Sequence, residues 1–486
     1  MITPENGMLF VAILLLFCIA FSRFLSRAGI PVLVFFIMAG MFLGSDGVGG
    51  IYFDQASVAS SIGNFAICYI LFAGGLATRW ESVKPVLLPG VLLATFGVML
   101  TAALIAVCAY LLLGFSMLEG LLLGSVVSCT DAASVFSILR SKGMNLKGTL
   151  APLLELESSS NDPTAYMLTI TVIGLMGTQG ETFFDFLLML VMQFSIGTAF
   201  GLGLGWIGYR LMNRIKLNSD GLYPVVAVAI AAIIFSLTQM LRGNGLLAIY
   251  LAGMVMGNAR MVHKTSLVRF FDGVSWLMQI LVFVTLGLLV FPSQLPSIFL
   301  PGMVIALALM FVVRPLAVFP ILHFFNYSTK AKVLVSWVGF RGASSIVFAT
   351  YALTNNIPAG QTIFNIIFFV SLTSVILQGS TLAPMARWLG QLDTEDHTLV
   401  AKTFTDYEDD LHGALYEMRV VSSSPAIDVE VQNLKFPDFA RILVIRRGDN
   451  SIMPTGKTKL AEGDTLMILA DKTEGLMDLK STWGFA

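Results

Sequence analysis

The sequence predicts an all-α polytopic membrane domain of about thirteen transmembrane helices, followed by a small α+β cytoplasmic domain. Three observations lead there. Of 486 residues, 56% are apolar and only 12% charged, a balance that suits a bilayer and not a water-soluble core. Apolar runs of roughly 20 residues, the length that crosses hydrocarbon, recur along most of the chain. The net charge of -1 hides an uneven distribution, because acidic and basic residues are sparse before about residue 390 and dense after it.

Taken in order, the candidate spans lie near 7-22, 31-44, 57-77, 85-113, 117-139, 150-178, 183-212, 222-240, 245-259, 271-291, 297-322, 331-352 and 361-386. The first is read as a retained span and not a signal peptide, since Glu5 replaces the usual basic flank and no small-residue cleavage site precedes Arg23. Basic residues fall in alternate connections: Arg23 and Arg27, Arg79 and Lys84, Arg140 to Lys147, Arg210 to Lys216, Arg260 to Arg269, Lys330 and Lys332, and Arg387. Against these, Arg242 stands alone on the other side. Positive charge stays cytoplasmic, so the amino terminus is expected outside and the carboxyl tail inside. Cys18, Cys68, Cys108 and Cys129 sit in apolar segments without CxxC spacing, which supports packing roles over a disulfide framework or zinc site. Gly197, Gly201 and Gly205, four residues apart, are read as helix-packing contacts.

Two spans are interrupted alike. Ser125 to Val135 in the fifth aligns with Ser336 to Ile346 in the twelfth, with serine at 125 and 336, valine at 127 and 338, alanine at 132 and 343, and serine at 134 and 345. Each places small polar residues and one charge, Asp131 or Arg341, inside an apolar run. Seven spans separate them, so they cross the bilayer in opposite directions, as inverted repeats with broken helices at a midplane site do. Half-helix ends carry partial charges, and Asp131 and Arg341 have the signs to balance them. For Asp131, direct contact with an ion is equally open.

Between the interruptions lies Glu155-Leu156-Glu157-Ser158-Ser159-Ser160-Asn161-Asp162-Pro163. A carboxylate at membrane depth costs at least ~2.5 kcal/mol, so Asp162 is the default ion or proton site. Ser158 and Asp162 are four residues apart and share a helix face, as do Glu157 and Asn161. Carboxylate, hydroxyl and freed carbonyl oxygens suit sodium or potassium, with no histidine or thiol placed for a transition metal. Asp162 passes from -1 to 0 with either a proton or a monovalent cation, so exchange through it would be electroneutral. Glu155 could alter that count by titrating. Pro163 removes one amide donor and crowds the Ser159 carbonyl. Arg314 is either a functional charge or a snorkelling one, and His263 and His323 are surface groups or pH sensors.

Thr130-Asp131 in one interrupted span, Glu157-Ser158 with Asn161-Asp162 in the next, and Gly339-Phe340-Arg341-Gly342 late in the chain together resemble the NhaP-type branch of monovalent cation/proton antiporters. The likeness covers nearly all of residues 1-390, and with the tail it points to the bacterial potassium/proton antiporters of that branch. The resemblance implies thirteen spans, crossed broken helices, a homodimer, a bacterial inner-membrane location and an elevator-like core of spans four to six and eleven to thirteen. It also implies that Asp162 is shared by cation and proton, that Ser158, Thr130, Asp131 and Asn161 line or support its site, and that Glu157 pairs with Arg341. Pro163 departs from the glycine or alanine of many relatives. No cofactor or nucleic-acid partner is expected beside the transported potassium or sodium and protons.

Residues 391-412 read as an acidic linker, from Asp393-Thr394-Glu395-Asp396 to Glu408-Asp409-Asp410. Over 413-486, β-like runs at Ile427 to Val431, Arg441 to Ile445 and Thr465 to Ala470 are separated by Gly448-Asp449-Asn450 and Gly463-Asp464 turn signals. This tail resembles the RCK-C (TrkA-C) regulatory domain. No GxGxxG unit precedes it, and both sensing of a small ligand such as a nucleotide and bracing of a dimer remain open. A cation channel would also use such a tail, but the chain lacks a TVGYG-like filter. A non-transporting receptor would leave the paired interruptions unexplained.

Overall fold

The computed structural model describes residues 32-142, 144-177, 183-393, 400-401, 414-421, 424-434, 436, 440-448 and 450-470, with the single positions 12, 16 and 483. Apart from positions 12 and 16, the expected first span at 7-22 lies outside the described residues, as do its flanking Arg23 and Arg27 and most of the acidic linker. The chain forms two compact units, Met1–Asp393 and Thr394–Ala486.

In the first unit every expected span after the first is helical. In chain order these are α1 (Val32–Leu43), α2 (Ala56–Ala77), α3 (Trp80–Leu113), α4 (Met117–Val127), α5 (Ala132–Ser141), α6 (Leu150–Gly177) and α7 (Phe183–Arg214). They continue with α8 (Leu222–Met240), α9 (Gly245–Asn258), α10 (Lys264–Leu289), α11 (Pro292–His323), α12 (Thr329–Trp337), α13 (Ala343–Thr354) and α14 (Gly360–Trp388). Among the described residues, seven helices are long and apolar enough to cross a membrane, and four shorter ones, α1, α4, α9 and α13, are apolar too.

Local chemistry sets the ends. Ser116 and Glu119 form a reciprocal capping box at the start of α4, with the Glu119 amide donating to Ser116 Oγ at 3.3 Å and the Ser116 amide to Glu119 Oε2 at 2.9 Å. Ser328 and Asn244 cap α12 and α9 by accepting from the amides of Ala331 and Leu247. Both α3 and α11 contain one π-helical turn, at Leu93–Gly97 and Leu309–Val313. These are the helices that precede the two interruptions, so the repeat extends beyond the breaks.

The Gly197, Gly201 and Gly205 row lets α7 lie against α9. A Cβ on Gly197 would stand 2.8 Å from the Asn244 carbonyl oxygen, and one on Gly201 2.7 Å from that of Ala248. Any side chain there would force the backbones apart. One group of helices, α3, α4, α6 and α11 to α14, packs mainly within itself, and α1, α2 and α7 to α10 form a second group. They meet where α2 lies on α13 and where α6 touches α7 and α9.

The second unit is an antiparallel sheet of order β1-β2-β5-β3-β4, built from β1 (Val400–Ala401), β2 (Ala414–Arg419), β3 (Ala440–Arg447), β4 (Asn450–Ile452) and β5 (Thr465–Ala470). Met418, Ile445, Leu466 and Ile468 are fully buried at its core. The expected Arg441 and Thr465 runs are strands, whereas the Ile427 to Val431 expectation is corrected. That stretch is a turn, with Asp428 in left-handed backbone (φ 62°) and a single bridge at Glu430 to Lys459. A non-glycine residue at positive φ cannot continue an extended ladder. Gly448 and Gly463 are at φ 59° and 83°, where the turn signals placed them.

Candidate ion-binding site

The two interruptions meet. After α4 ends at Val127 and α12 at Trp337, the Asp131 amide donates to the Phe340 carbonyl at 2.9 Å, and Arg341 Nη1 donates to the Cys129 carbonyl at 2.6 Å. Cys129 Sγ and Ser345 Oγ are 3.1 Å apart. The approach is close enough that a Cβ on Gly342 would fall 2.5 Å from that of Asp131. Fully buried Arg341 therefore sits where α4 leaves its last carbonyls unpaired. Asp131 stands at the amino end of α5, its carboxylate accepting from Ser134 Oγ at 2.6 Å and from the Ser134 amide at 3.3 Å. Cation at a carbonyl end and anion at an amide end are the signs the helix dipole requires.

The crossing positions a second polar layer against α6. Ser158 Oγ donates to the Thr130 carbonyl at 2.9 Å and accepts from the Ala132 amide at 2.8 Å. Asn161 Nδ2 donates to Thr130 Oγ1 at 2.6 Å, and the Thr130 amide donates to Asn161 Oδ1 at 3.3 Å. Asn161 and Ser158 thus fasten the unwound Thr130 to α6, satisfying backbone groups that hydrocarbon would leave stranded. The helix stays continuous through Pro163, whose own carbonyl accepts from Asn244 Nδ2 at 2.7 Å.

Asp162, 8% exposed, takes one hydrogen bond from the second repeat: Ser344 Oγ donates to its Oδ2 at 2.6 Å. Its Oδ1 has no hydrogen-bond partner among the described residues. No arginine or lysine is within ion-pair distance of it among those residues.

Glu157 behaves differently, and here the expected pairing with Arg341 is corrected. Its Oε1 is bound by Arg314 Nη2, and both side chains are buried. Arg341 is taken up by the Cys129 carbonyl instead. Arg314 is therefore a buried ion-pair partner and not a snorkelling charge. It directly succeeds the π-helical turn Leu309–Val313, and the extra residue in such a turn rotates the next stretch of helix by about 100°. That rotation turns Arg314 toward α6.

A cavity of about 780 Å³ reaches the site. Asp162, Ser158, Thr130, Asp131 and Ser344 form its inner wall, with Glu155, Asp272 and Arg269 farther along. Its α2 wall runs from Ile67 to Ala77, and its α10 wall from Val268 to Phe283. It therefore extends to the helix ends that border Arg79 and Lys264, the side of the basic connections. Carboxylates outnumber the single arginine among its lining residues, so its field favours cations.

Thr130, Asp131, Ser158, Asn161 and Asp162 stand together, while Glu157 and Arg341 lie behind them with separate partners. Ser344 was not singled out in the sequence, and its only trace there is its place beside Ser345 in the repeat alignment; Arg314 was weighed as a functional or a snorkelling charge, but not as the partner of Glu157. Among the described residues no cluster of three or more His, Cys, Asp or Glu could hold a metal ion. The donor set is hydroxyl, carbonyl and carboxylate oxygen, which fits a monovalent cation as cargo.

Residues 11–388 match the family model for the sodium/hydrogen exchanger transmembrane domain, and residues 415–477 match the TrkA-C domain. The chain is 37% identical to a K(+)/H(+) antiporter NhaP2 of Shewanella baltica over 95% of its length and 80% of that protein. It is 38% identical to a K(+)/H(+) antiporter NhaP of Alkalimonas amylolytica, over 91% of this chain and 77% of that one. Among solved structures it is similar to the sodium proton antiporter MjNhaP1 of Methanocaldococcus jannaschii at pH 8, with a TM-score of 0.69 and 22% identity, covering 79% of this chain and 99% of that one.

Proposed function

Since the chain belongs to the sodium/hydrogen exchanger family, we propose that it exchanges potassium for protons across a bacterial inner membrane, with Asp162 carrying either one. The observation that carries this is the state of that carboxylate: one oxygen held by Ser344, the other unpartnered, at the end of an acidic cavity. A proton on Oδ1, or a cation held by Oδ1 with Ser158 and Thr130 oxygens, neutralises the same charge. The two exclude each other, and that exclusion is the coupling. Asn161 brings no second carboxylate beside Asp162, so exchange is one for one and electroneutral as long as Glu155, on the cavity wall, keeps its protonation state through the cycle.

Positive residues mark the cytoplasmic side, which places the amino terminus outside and makes the cavity an inward-open one. Movement of the group α3, α4, α6 and α11 to α14 against the remaining helices then carries Asp162 to the outer face, in an elevator-like cycle within a homodimer. The names of relatives at 37 and 38% identity support potassium; a more distant relative, 30% identical, is a Na(+)/H(+) antiporter NhaH of Halobacillus aidingensis, so sodium is the second substrate to test. Beyond an acidic linker at 391–412, the cytoplasmic tail, which matches the TrkA-C domain, acts on exchange either by sensing a small ligand or by bracing the dimer.

The test is proton movement in sealed proteoliposomes on addition of potassium, sodium, lithium or rubidium, with the membrane potential clamped at different values. Potassium-driven movement independent of voltage, absent in Asp162→Asn, is expected. Voltage-dependent flux would rule out one-for-one exchange, and flux surviving in Asp162→Asn would remove the shared-site mechanism.

A further inference from the structure

On the far side of Asp162 from the cavity lies a polar cluster that ion binding does not use. Tyr166 is four residues beyond Asp162 on α6, and Tyr351 is seven beyond Ser344 on α13. Gln239 Nε2, on α8, donates to the Tyr166 hydroxyl at 3.0 Å; the Tyr351 hydroxyl donates to Asn64 Oδ1, on α2, at 2.5 Å. The two tyrosine rings meet edge to face at 5.8 Å, and Phe348, fully buried, lies 5.8 Å from Tyr166 and 6.4 Å from Tyr351.

Each hydrogen bond joins the two helix groups. Tyr166 and Tyr351 belong to the group that contains Asp162, whereas Asn64 and Gln239 belong to the other. The cluster also sits where the cavity stops. The α2 wall of the cavity ends at Ile67, and Asn64 is three residues farther from the basic side. Gln239 is next to the last residue of α8, at the end remote from Arg214 and Lys216. Contact here is tight, since a Cβ on Gly63 would fall 2.5 Å from Val347 Cγ1.

We infer that the Tyr166–Gln239 and Tyr351–Asn64 pairs are the latch that closes the outer route to Asp162, and that both must open in each transport cycle. This rests on the alternating-access mechanism proposed above. A phenol or amide leaving its partner in an apolar seam is left unpaired until water reaches it. The pairs therefore hold the inward-open state while the seam is dry and separate when outer water enters. Their strength sets the ratio of inward-open to outward-open protein.

Tyr166→Phe and Tyr351→Phe remove one hydroxyl each and keep the rings. In the full-length protein, each raises outward-open occupancy on the order of 2- to 10-fold, the worth of one hydrogen bond. In proteoliposomes of fixed orientation, the half-saturating potassium concentration falls at the outer face and rises at the inner face. A general packing defect would move both faces alike, and that result, or no shift, overturns the latch. A second readout needs no transport: Ala73→Cys places a thiol on the cavity wall, to be alkylated by an impermeant maleimide from the inner side. Alkylation slows in each Phe variant and most in the double variant. Unchanged labelling overturns the latch even if exchange is intact, whereas wild-type protein that moves no protons on cation addition defeats the antiport mechanism and leaves the labelling result to judge the latch alone.

Discussion

Glu157 and Asp162 are two buried carboxylates five residues apart on one helix, 1% and 8% exposed. Glu157 is bound to Arg314, so its charge is compensated within the protein. Asp162 has one serine hydroxyl and an open oxygen. A carboxylate matched by a fixed guanidinium has no reason to exchange its counter-ion. One left without a cation at membrane depth must find a proton or a metal ion. The same helix thus separates a structural charge from the one proposed to carry the ion by the choice of partner, not by depth.

Glu157→Gln would sharpen that contrast most. Leaving Arg314 buried without its anion costs about 3–5 kcal/mol, to be read as a large loss of thermal stability in detergent. Asp162→Asn should leave stability nearly unchanged while exchange stops. Restoring neutrality with Glu157→Gln and Arg314→Met together should recover most of the lost stability and retain coupled exchange. If the double variant is stable and cannot exchange, Glu157 takes part in transport and the distinction between the two carboxylates fails.

Ser344→Ala gives a smaller effect. Its hydroxyl donates to Asp162 and so supports the ionised carboxylate that the proposed cation site requires, and hydrogen bonds to charged groups are worth about 1.5–3 kcal/mol. The half-saturating potassium concentration should rise on the order of tenfold, with the maximal rate less affected. Ser344→Thr, which keeps the hydroxyl, should restore it. An unchanged concentration dependence in Ser344→Ala would mean that the second repeat does not tune the site.

Much of this was legible in the sequence, for identifiable reasons. The spans were readable because the need for about 20 apolar residues is local. The paired breaks were readable because each puts a charge where hydrocarbon forbids one. Asp162 stood out for the same reason. The partner of Glu157 did not, because it depends on how α11 is rotated, and the π-helical turn before Arg314 leaves no periodic mark. The cluster of Tyr166, Tyr351, Asn64 and Gln239 was equally hidden: each is unremarked in its own helix, and only packing brings them together. In the tail, Thr465–Ala470 showed its strand pattern, but Ile427 to Val431 looked extended by residue type alone. The left-handed Asp428 decides otherwise.

The tail supplies a third carboxylate, and the smallest effect. Asp464 is fully buried, yet it is bound by Arg447, whose side chain is 43% exposed, through Nε and Nη2 at 2.8 Å each. The Ala461 amide donates to it at 2.8 Å. Burial pushes this carboxyl upward, but the Arg447 and Ala461 hydrogen bonds outweigh it and hold it below the ordinary aspartate value of 3.8. A lowered folded value means the group stabilises the sheet above that ordinary value, and the contribution is lost as pH falls through the folded one. In the full-length protein, β3 and β5 amides of Asp464→Asn should exchange hydrogen faster than wild type at neutral pH. The difference should shrink as pH drops below 3.8. Equal exchange at neutral pH would place this pair with exposed ion pairs that contribute little, and would confine the contrast between matched and unmatched carboxylates to the bilayer.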